Sequence, residues 1–177
     1  MELYELCPLS PEFFSQMYRW NTEEKHNDRF SCRPPHEAAT EEEFYARWRK
    51  VMNDDHRPYR ILVCGGVPMG RISLFDYNPR NHSAEFGYYL PEQSRAKGMG
   101  TVMVQKFLEE VFRDETLALH KIIATTSSEN EPSNRVLQKF GFHLDGRLRE
   151  HYWIDSEKYD QMIYSLLKSE WESIETN

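Results

Sequence analysis

Apolar positions along this chain change their period several times, and each change predicts an element. Leu3, Leu6 and Leu9 recur among polar residues and suggest a short first strand. Ser10 followed by Pro11 places a capping hydroxyl ahead of a proline at the first helical position, predicting a helix that runs to Trp20. Residues 21–36 are polar and end in Pro34-Pro35, so they read as a loop with room for one helical turn. Thr40 with Glu43 three residues later is a capping box. The helix it opens carries Phe44, Trp48 and Met52 at four-residue spacing on one face.

Beyond residue 58 the period shortens to that of strands. Residues 59–64 form a β-rich run, Gly65-Gly66 is a hairpin signal, and residues 69–75 are the return strand. A second turn at 78–81 leads to a third strand at 83–90, and tight turns make these strands antiparallel neighbours. After Pro91 a glycine-bearing loop opens a helix over 98–113, with Val104, Phe107, Leu108 and Val111 on its inner face. Residues 121–126 read as a strand covered on both faces. A short helix at 130–140 stops at Gly141, a natural left-handed terminator. Two last strands, near 142–153 and 159–167, are joined by a turn at Asp155-Ser156. The order predicts one α+β domain over residues 1–177, without repeat or linker.

Composition narrows the function classes. A chain of 177 residues that is 39% hydrophobic and 14% aromatic is globular. Its net charge of −7 comes without a basic stripe, which argues against nucleic acid as a primary partner. An acidic surface favours a cationic substrate weakly, and solubility explains it as well. Cys7, Cys32 and Cys64 are odd in number and widely spaced, fitting neither a disulfide framework nor a zinc site; reduced thiols in a cytoplasm are the plain reading. The start lacks a signal-peptide pattern, and no apolar run approaches the ~20 residues that span a bilayer, so no membrane partner is expected. Seven scattered histidines show no ligand spacing, so no metal is expected.

The informative segment is Arg95-Ala96-Lys97-Gly98-Met99-Gly100-Thr101, between a strand and a helix. Such a loop aims several N–H groups at one point, and the helix dipole favours an anion there. Gly98 and Gly100 permit close approach, as for a phosphate or diphosphate. A glycine-rich helix start without a ligand has the same local pattern. Lys97 precedes Gly98, which is wrong for a P-loop, and a dinucleotide fingerprint would need a third glycine.

Arg-x-x-Gly-x-Gly after the aromatic-rich strand end AEFGYYL-P is similar to the acetyl-CoA diphosphate motif of the GNAT superfamily of N-acetyltransferases. The later Asn130-x-x-Ser133-x-x-Val136-Leu137-x-Lys139-x-Gly141-Phe142 resembles that superfamily's second block. The tail GRLRE…YDQMIYSLL…EW resembles the branch holding RimJ/RimL-type ribosomal-protein acetyltransferases and spermidine acetyltransferases, and the likeness runs over residues 59–172. It implies a mixed, mostly antiparallel sheet of about seven strands flanked by helices. It also implies transfer of acetyl from acetyl-CoA to a primary amine, on a protein N-terminus, a polyamine or a small molecule. A non-catalytic acetyl-CoA sensor is the alternative. A homodimer is common among similar proteins.

The resemblance also implies residue roles. Residues Arg95, Ala96, Lys97, Gly98, Met99, Gly100 and Thr101 would give backbone N–H groups to the diphosphate. Tyr88, Tyr89 and Leu90 would pair their backbone with the pantetheine arm and polarise the thioester carbonyl. Asn130 would bond the pantetheine amide, or cap the following helix, or both. Glu85 is the candidate base, with a structural salt bridge or hydration as the other reading. Many members carry a tyrosine acid where this chain has Leu137, so Ser133 would instead hydrogen-bond the leaving sulfur, unless it is simply a first-turn serine. The loop from Pro91 to Arg95 is one residue longer than the commonest spacing. Tyr152-Trp153 reads as sheet packing or as an acceptor-pocket wall. Glu23-Glu24 and Glu41-Glu42-Glu43 read as solvated helix residues or as attractors of a cationic amine.

Overall fold

In the computed structural model, which describes residues 3–24 and 40–175, side-chain alternation in β2 (Tyr59–Cys64) decides how the sheet is covered. Leu62 turns to one face, while Tyr59, Ile61 and Val63 turn to the other. A strand buried on both faces needs helices on both, and the chain supplies them. On one side, α1 (Phe14–Glu23) and α2 (Glu41–Met52) bury Phe14, Met17, Trp20 and Phe44. On the other, α3 (Met99–Arg113), α4 (Glu131–Lys139) and α5 (Lys168–Glu175) close over the larger core. Met103, Val104, Phe107, Leu108 and Val111 of α3 are fully buried. Burial of each such side chain is worth roughly 1.5–3 kcal/mol, so this one helix anchors the layer.

Seven strands form one sheet in the order β1-β2-β3-β4-β5-β7-β6. The remaining strands are β1 (Tyr4–Pro8), β3 (Val67–Asn78), β4 (Ser83–Tyr89), β5 (Lys121–Ser127), β6 (His143–Ile154) and β7 (Glu157–Leu167). Only β4 and β5 run parallel; the other pairs are antiparallel. Gly65 (φ 56°) and Gly66 (φ 80°) make the left-handed turn that the β2–β3 hairpin requires. Asn78 Oδ1 accepts from the Arg80 and Asn81 N–H groups and fixes the next turn.

Several local expectations are modified. Ser10 has extended backbone angles, but its hydroxyl donates to Glu12 rather than capping, and Pro11–Phe13 opens the helix as a 3-10 turn. Thr40 does cap α2, accepting from Glu43 N at 3.2 Å, yet Met52 is 37% exposed and leaves the apolar stripe to Phe44 and Trp48. In β5, Ile122, Ala124 and Thr126 are buried whereas Ile123 and Thr125 are half-exposed, so its two faces are not equally covered. The α5 helix was not expected; Trp171 holds it by stacking on Phe112 at 5.3 Å. Of residues 21–36, the first three belong to α1, and 25–36 lie outside the described residues, as does Cys32. Cys7 and Cys64 are unpaired thiols. Among the described residues, no helix is long and apolar enough to cross a membrane.

Candidate active site

The parallel pair β4–β5 is short. Its register covers Ser83, Ala84 and Glu85 against Lys121, Ile122 and Ile123, and then stops. Beyond that point β4 stays paired with β3 as far as Tyr89, and β5 stays paired with β7 as far as Ser127. The sheet therefore forks, with Glu85 at the apex. The fork opens into a cleft of about 530 Å³.

Four of the segments that line it carry the residues singled out from the sequence. Tyr88, Tyr89 and Leu90 come from the end of β4; Arg95, Ala96 and Gly98 from the loop; Met99, Gly100 and Thr101 from the start of α3; Asn130 and Ser133 from the start of α4. Lys97 is not on the wall, because its ammonium donates to Gln93 O at 2.8 Å on the exposed side of the loop. Glu85 also sits off the wall, at the apex, where the Thr125 hydroxyl donates to its carboxylate at 2.6 Å; Thr125 itself lines the cleft.

The loop is built for an anion. Gly98 takes φ 74°, caps α3 with no side chain, and has nothing within 4 Å of where a Cβ would stand. Ala96 holds φ 58°, a conformation that costs a residue bearing Cβ roughly 1–2 kcal/mol. Such strain in a loop facing a cleft is a sign of function. The first helical bond is Val102 N to Gly98 O at 3.2 Å, so the Met99, Gly100 and Thr101 N–H groups precede the ladder and are left to the cleft. Arg95 departs from its expected role. Its N–H donates to Glu92 O at 3.1 Å and is spent inside a 3-10 turn (Glu92–Ser94). Its side chain works instead as a tie: Nε donates to Leu90 O at 2.9 Å, and the guanidinium pairs with Glu24. Burial pushes the Glu24 carboxyl above its ordinary range, opposed by the Arg95 charge. Glu24 is thus a structural partner of the loop.

Alternation on β4 sends neighbouring tyrosines to opposite cores. Tyr88 and Leu90 pack against the α3–α4 layer, whereas Tyr89 faces the α1–α2 layer, 6.0 Å from Trp20 and 4.9 Å from the Arg71 guanidinium. Tyr88 OH donates to Ser133 Oγ at 3.2 Å, and burial raises the phenol above its ordinary pKa while Ser133 offsets part of that rise. Asn130 Oδ1 accepts from Ser133 N at 3.3 Å, so Asn130 caps α4 while lining the cleft. Leu137, 1% exposed, also touches the cleft and offers it no hydroxyl.

Sequence reasoning missed part of the wall. Thr125, Thr126 and Ser127 line the far side of the fork, and Arg135 and Lys139 bring cations to it from α4. Arg135 is disguised by its i,i+4 pair with Glu131 at 2.8 Å, a spacing that reads as surface decoration. Tyr152 is buried and on the wall, whereas Trp153 is 71% exposed, with the Lys158 ammonium of the neighbouring strand 5.4 Å from its ring. Among the described residues, no group of three or more His, Cys, Asp or Glu is placed to hold a metal.

A forked sheet with a helix start at its mouth offers a place for an extended ligand with an anionic end. The model of the acetyltransferase (GNAT) domain matches residues 5–143, and this chain belongs to that family of acetyltransferases. It is 31% identical over 125 residues to YdaF of Bacillus subtilis (strain 168), named as a candidate ribosomal N-acetyltransferase, covering 71% of this chain and 67% of the relative. The spermidine N-acetyltransferase of Vibrio cholerae, solved with CoA and spermine, superposes with a TM-score of 0.83 at 21% identity, over 96% of this chain and 98% of that one. RimL, a ribosomal L7/L12 α-N-protein acetyltransferase solved with coenzyme A, superposes at 0.81 and 17% identity, over 93% of each chain.

Proposed function

We propose that this acetyltransferase moves the acetyl group of acetyl-CoA to a primary amine by direct attack of the amine on the thioester. The carrying observation is the fork: among the described residues, β4–β5 pairing stops after Glu85 and Ile123, next to a helix start whose first amides precede the helical ladder. An extended arm with amide groups and a diphosphate at one end matches both features. Alkylamines are almost wholly protonated at neutral pH, so the site must take a proton before nitrogen can attack. Glu85 at the apex, held by Thr125, is the group positioned for this, directly or through water. Ser133 faces the same cleft and would hydrogen-bond the departing sulfur.

Relatives that act on spermidine and on ribosomal protein support an amine acceptor and leave a polyamine and a protein N-terminus as the two classes to separate. The test is an amine panel with acetyl-CoA, read by mass spectrometry of products and by thiol release. Glu85→Gln should slow turnover at neutral pH and leave CoA affinity nearly intact. Tight CoA binding without turnover on any amine would favour a sensor instead.

A further inference from the structure

The Tyr88 phenol is a half-buried titratable group on the cleft wall for which the reaction above has no use. Its ring leaves β4 beside Gly100, with Cε2 3.7 Å from where a Cβ on that glycine would stand. Its hydroxyl spans to the first turn of α4 and donates to Ser133 Oγ at 3.2 Å. Ser133 is held from the other side by its own N–H, which donates to Asn130 Oδ1 at 3.3 Å. A serine hydroxyl has one proton and two lone pairs. Tyr88 occupies one lone pair, so the proton of Ser133 is the part left to point at a sulfur in the cleft. Serine alone is a poor acid for a thiolate, because it must become an alkoxide. A phenol at about 10 lies far nearer a thiol at about 8.5. Burial raises the phenol's pKa and narrows that advantage, while its hydrogen bond with Ser133 offsets part of the rise.

We propose that Tyr88 and Ser133 form a proton relay to the leaving sulfur, Ser133 being the residue that touches it and Tyr88 the residue that positions and replenishes Ser133. The relay rests on the acetyl-CoA reading above. As the tetrahedral intermediate collapses, the C–S bond breaks and its electron pair stays on sulfur. The Ser133 proton moves to sulfur, forming the thiol, while the Tyr88 proton moves to Ser133 Oγ. Solvent then reprotonates the Tyr88 phenolate, and the proton lost by the amine leaves through Glu85 to solvent. The sum is thioester plus amine giving amide plus thiol.

The test needs the whole protein and coenzyme A alone, with no acceptor. Coenzyme A isotope-labelled at the methylene beside sulfur reports thiol ionisation by its NMR shift as pH is raised. Donation from Ser133 should lower the bound thiol's pKa below that of free coenzyme A. Ser133→Ala should raise it by about one unit, a tenfold loss of thiolate at a given pH. Tyr88→Phe should raise it by about half a unit, roughly threefold. The double variant should match Ser133→Ala, because Tyr88 reaches sulfur only through Ser133. Coenzyme A affinity is measured alongside in mildly acid buffer, where the thiol is neutral, so that a change in ionisation is separated from a change in binding. A merely structural tyrosine would shift binding and leave ionisation unmoved. Should Tyr88→Phe not fold, fluorotyrosine placed at 88 alone keeps the hydroxyl and must lower the thiol's pKa. Ionisation unmoved by a change at 88, or additive losses in the double variant, would overturn the relay. Wild-type protein that binds no coenzyme A would sink the acetyl-CoA reading and the relay with it.

Discussion

Replacing Gly98 by alanine separates what the loop does for folding from what it does for binding, because a second glycine with the same geometry lies elsewhere. Gly98 has φ 74° and Gly66 has φ 80°, and neither has an atom within 4 Å of an added Cβ. Alanine at either site meets no steric neighbour and is charged only for the left-handed conformation, roughly 1–2 kcal/mol. Part is returned because alanine has less freedom to lose on folding, about 0.4–1 kcal/mol. Both variants should therefore lose about 1 kcal/mol, or about 2–4 °C in melting temperature for a chain this size. Their binding should diverge. Gly66 turns the β2–β3 hairpin, whereas Gly98 stands at the mouth of the cleft. Titration calorimetry should show Gly66→Ala binding CoA as wild type and Gly98→Ala weakened at least tenfold, about 1.4 kcal/mol. Equal affinity in the two variants would refute the placement of the diphosphate at the start of α3.

Other outcomes follow from the same coordinates. At Gly70 an added Cβ would stand 2.8 Å from the Tyr89 backbone oxygen and 2.5 Å from Leu90 Cδ2, so Gly70→Ala should cost about 1–3 kcal/mol in chemical denaturation. Because the crowded atoms belong to the cleft rim, CoA affinity should fall with it. Asp145 is held below the usual carboxylate range, chiefly by the Ser165 hydroxyl, and Asp160 chiefly by the Glu150 N–H and then by Arg147. Folded-state values below the unfolded ones mean that this stabilisation is complete above the ordinary carboxylate pKa and fades as pH falls through the depressed values. Melting curves of the Asp145→Asn and Asp160→Asn variants should thus lie under wild type at neutral pH, start to approach it below roughly pH 4, and converge only once pH has passed the depressed values. Thr125→Val removes the hydroxyl that holds Glu85, and turnover should fall in the same direction as in Glu85→Gln with CoA affinity kept.

The local grammar of the chain was readable where one residue type had one job. The Gly65-Gly66 turn, the Thr40 cap and the Gly98 start of α3 are each fixed by backbone sterics or by a hydrogen bond within four residues. The fork was not readable, since pairing between β4 and β5 crosses some 40 residues and no local pattern says where it stops. Nor was the placement of β6 outside β7, a choice made by packing. Residues 168–175 are mostly polar, and contact with Phe112 and Arg113 of α3 makes a helix anchor of Trp171. At the site, the glycines and the two motif blocks announced the anion loop. The side-chain ties of Arg95 and Tyr88 depend on partners 71 and 45 residues away and could not be seen.

Backbone pairing joins β4 to β5 at three positions, with the Thr125–Glu85 hydrogen bond beside them, so the sheet divides into two plates, β1–β4 and β5–β7–β6, sharing a narrow seam. A guest lying in the gap becomes mortar between them. On the acetyl-CoA reading proposed above, cohesion that most proteins complete during folding would be deferred to the moment of loading. Amide hydrogen exchange along residues 86–89 and 124–127 should slow on loading and quicken again on discharge, making the sheet itself the gauge of occupancy.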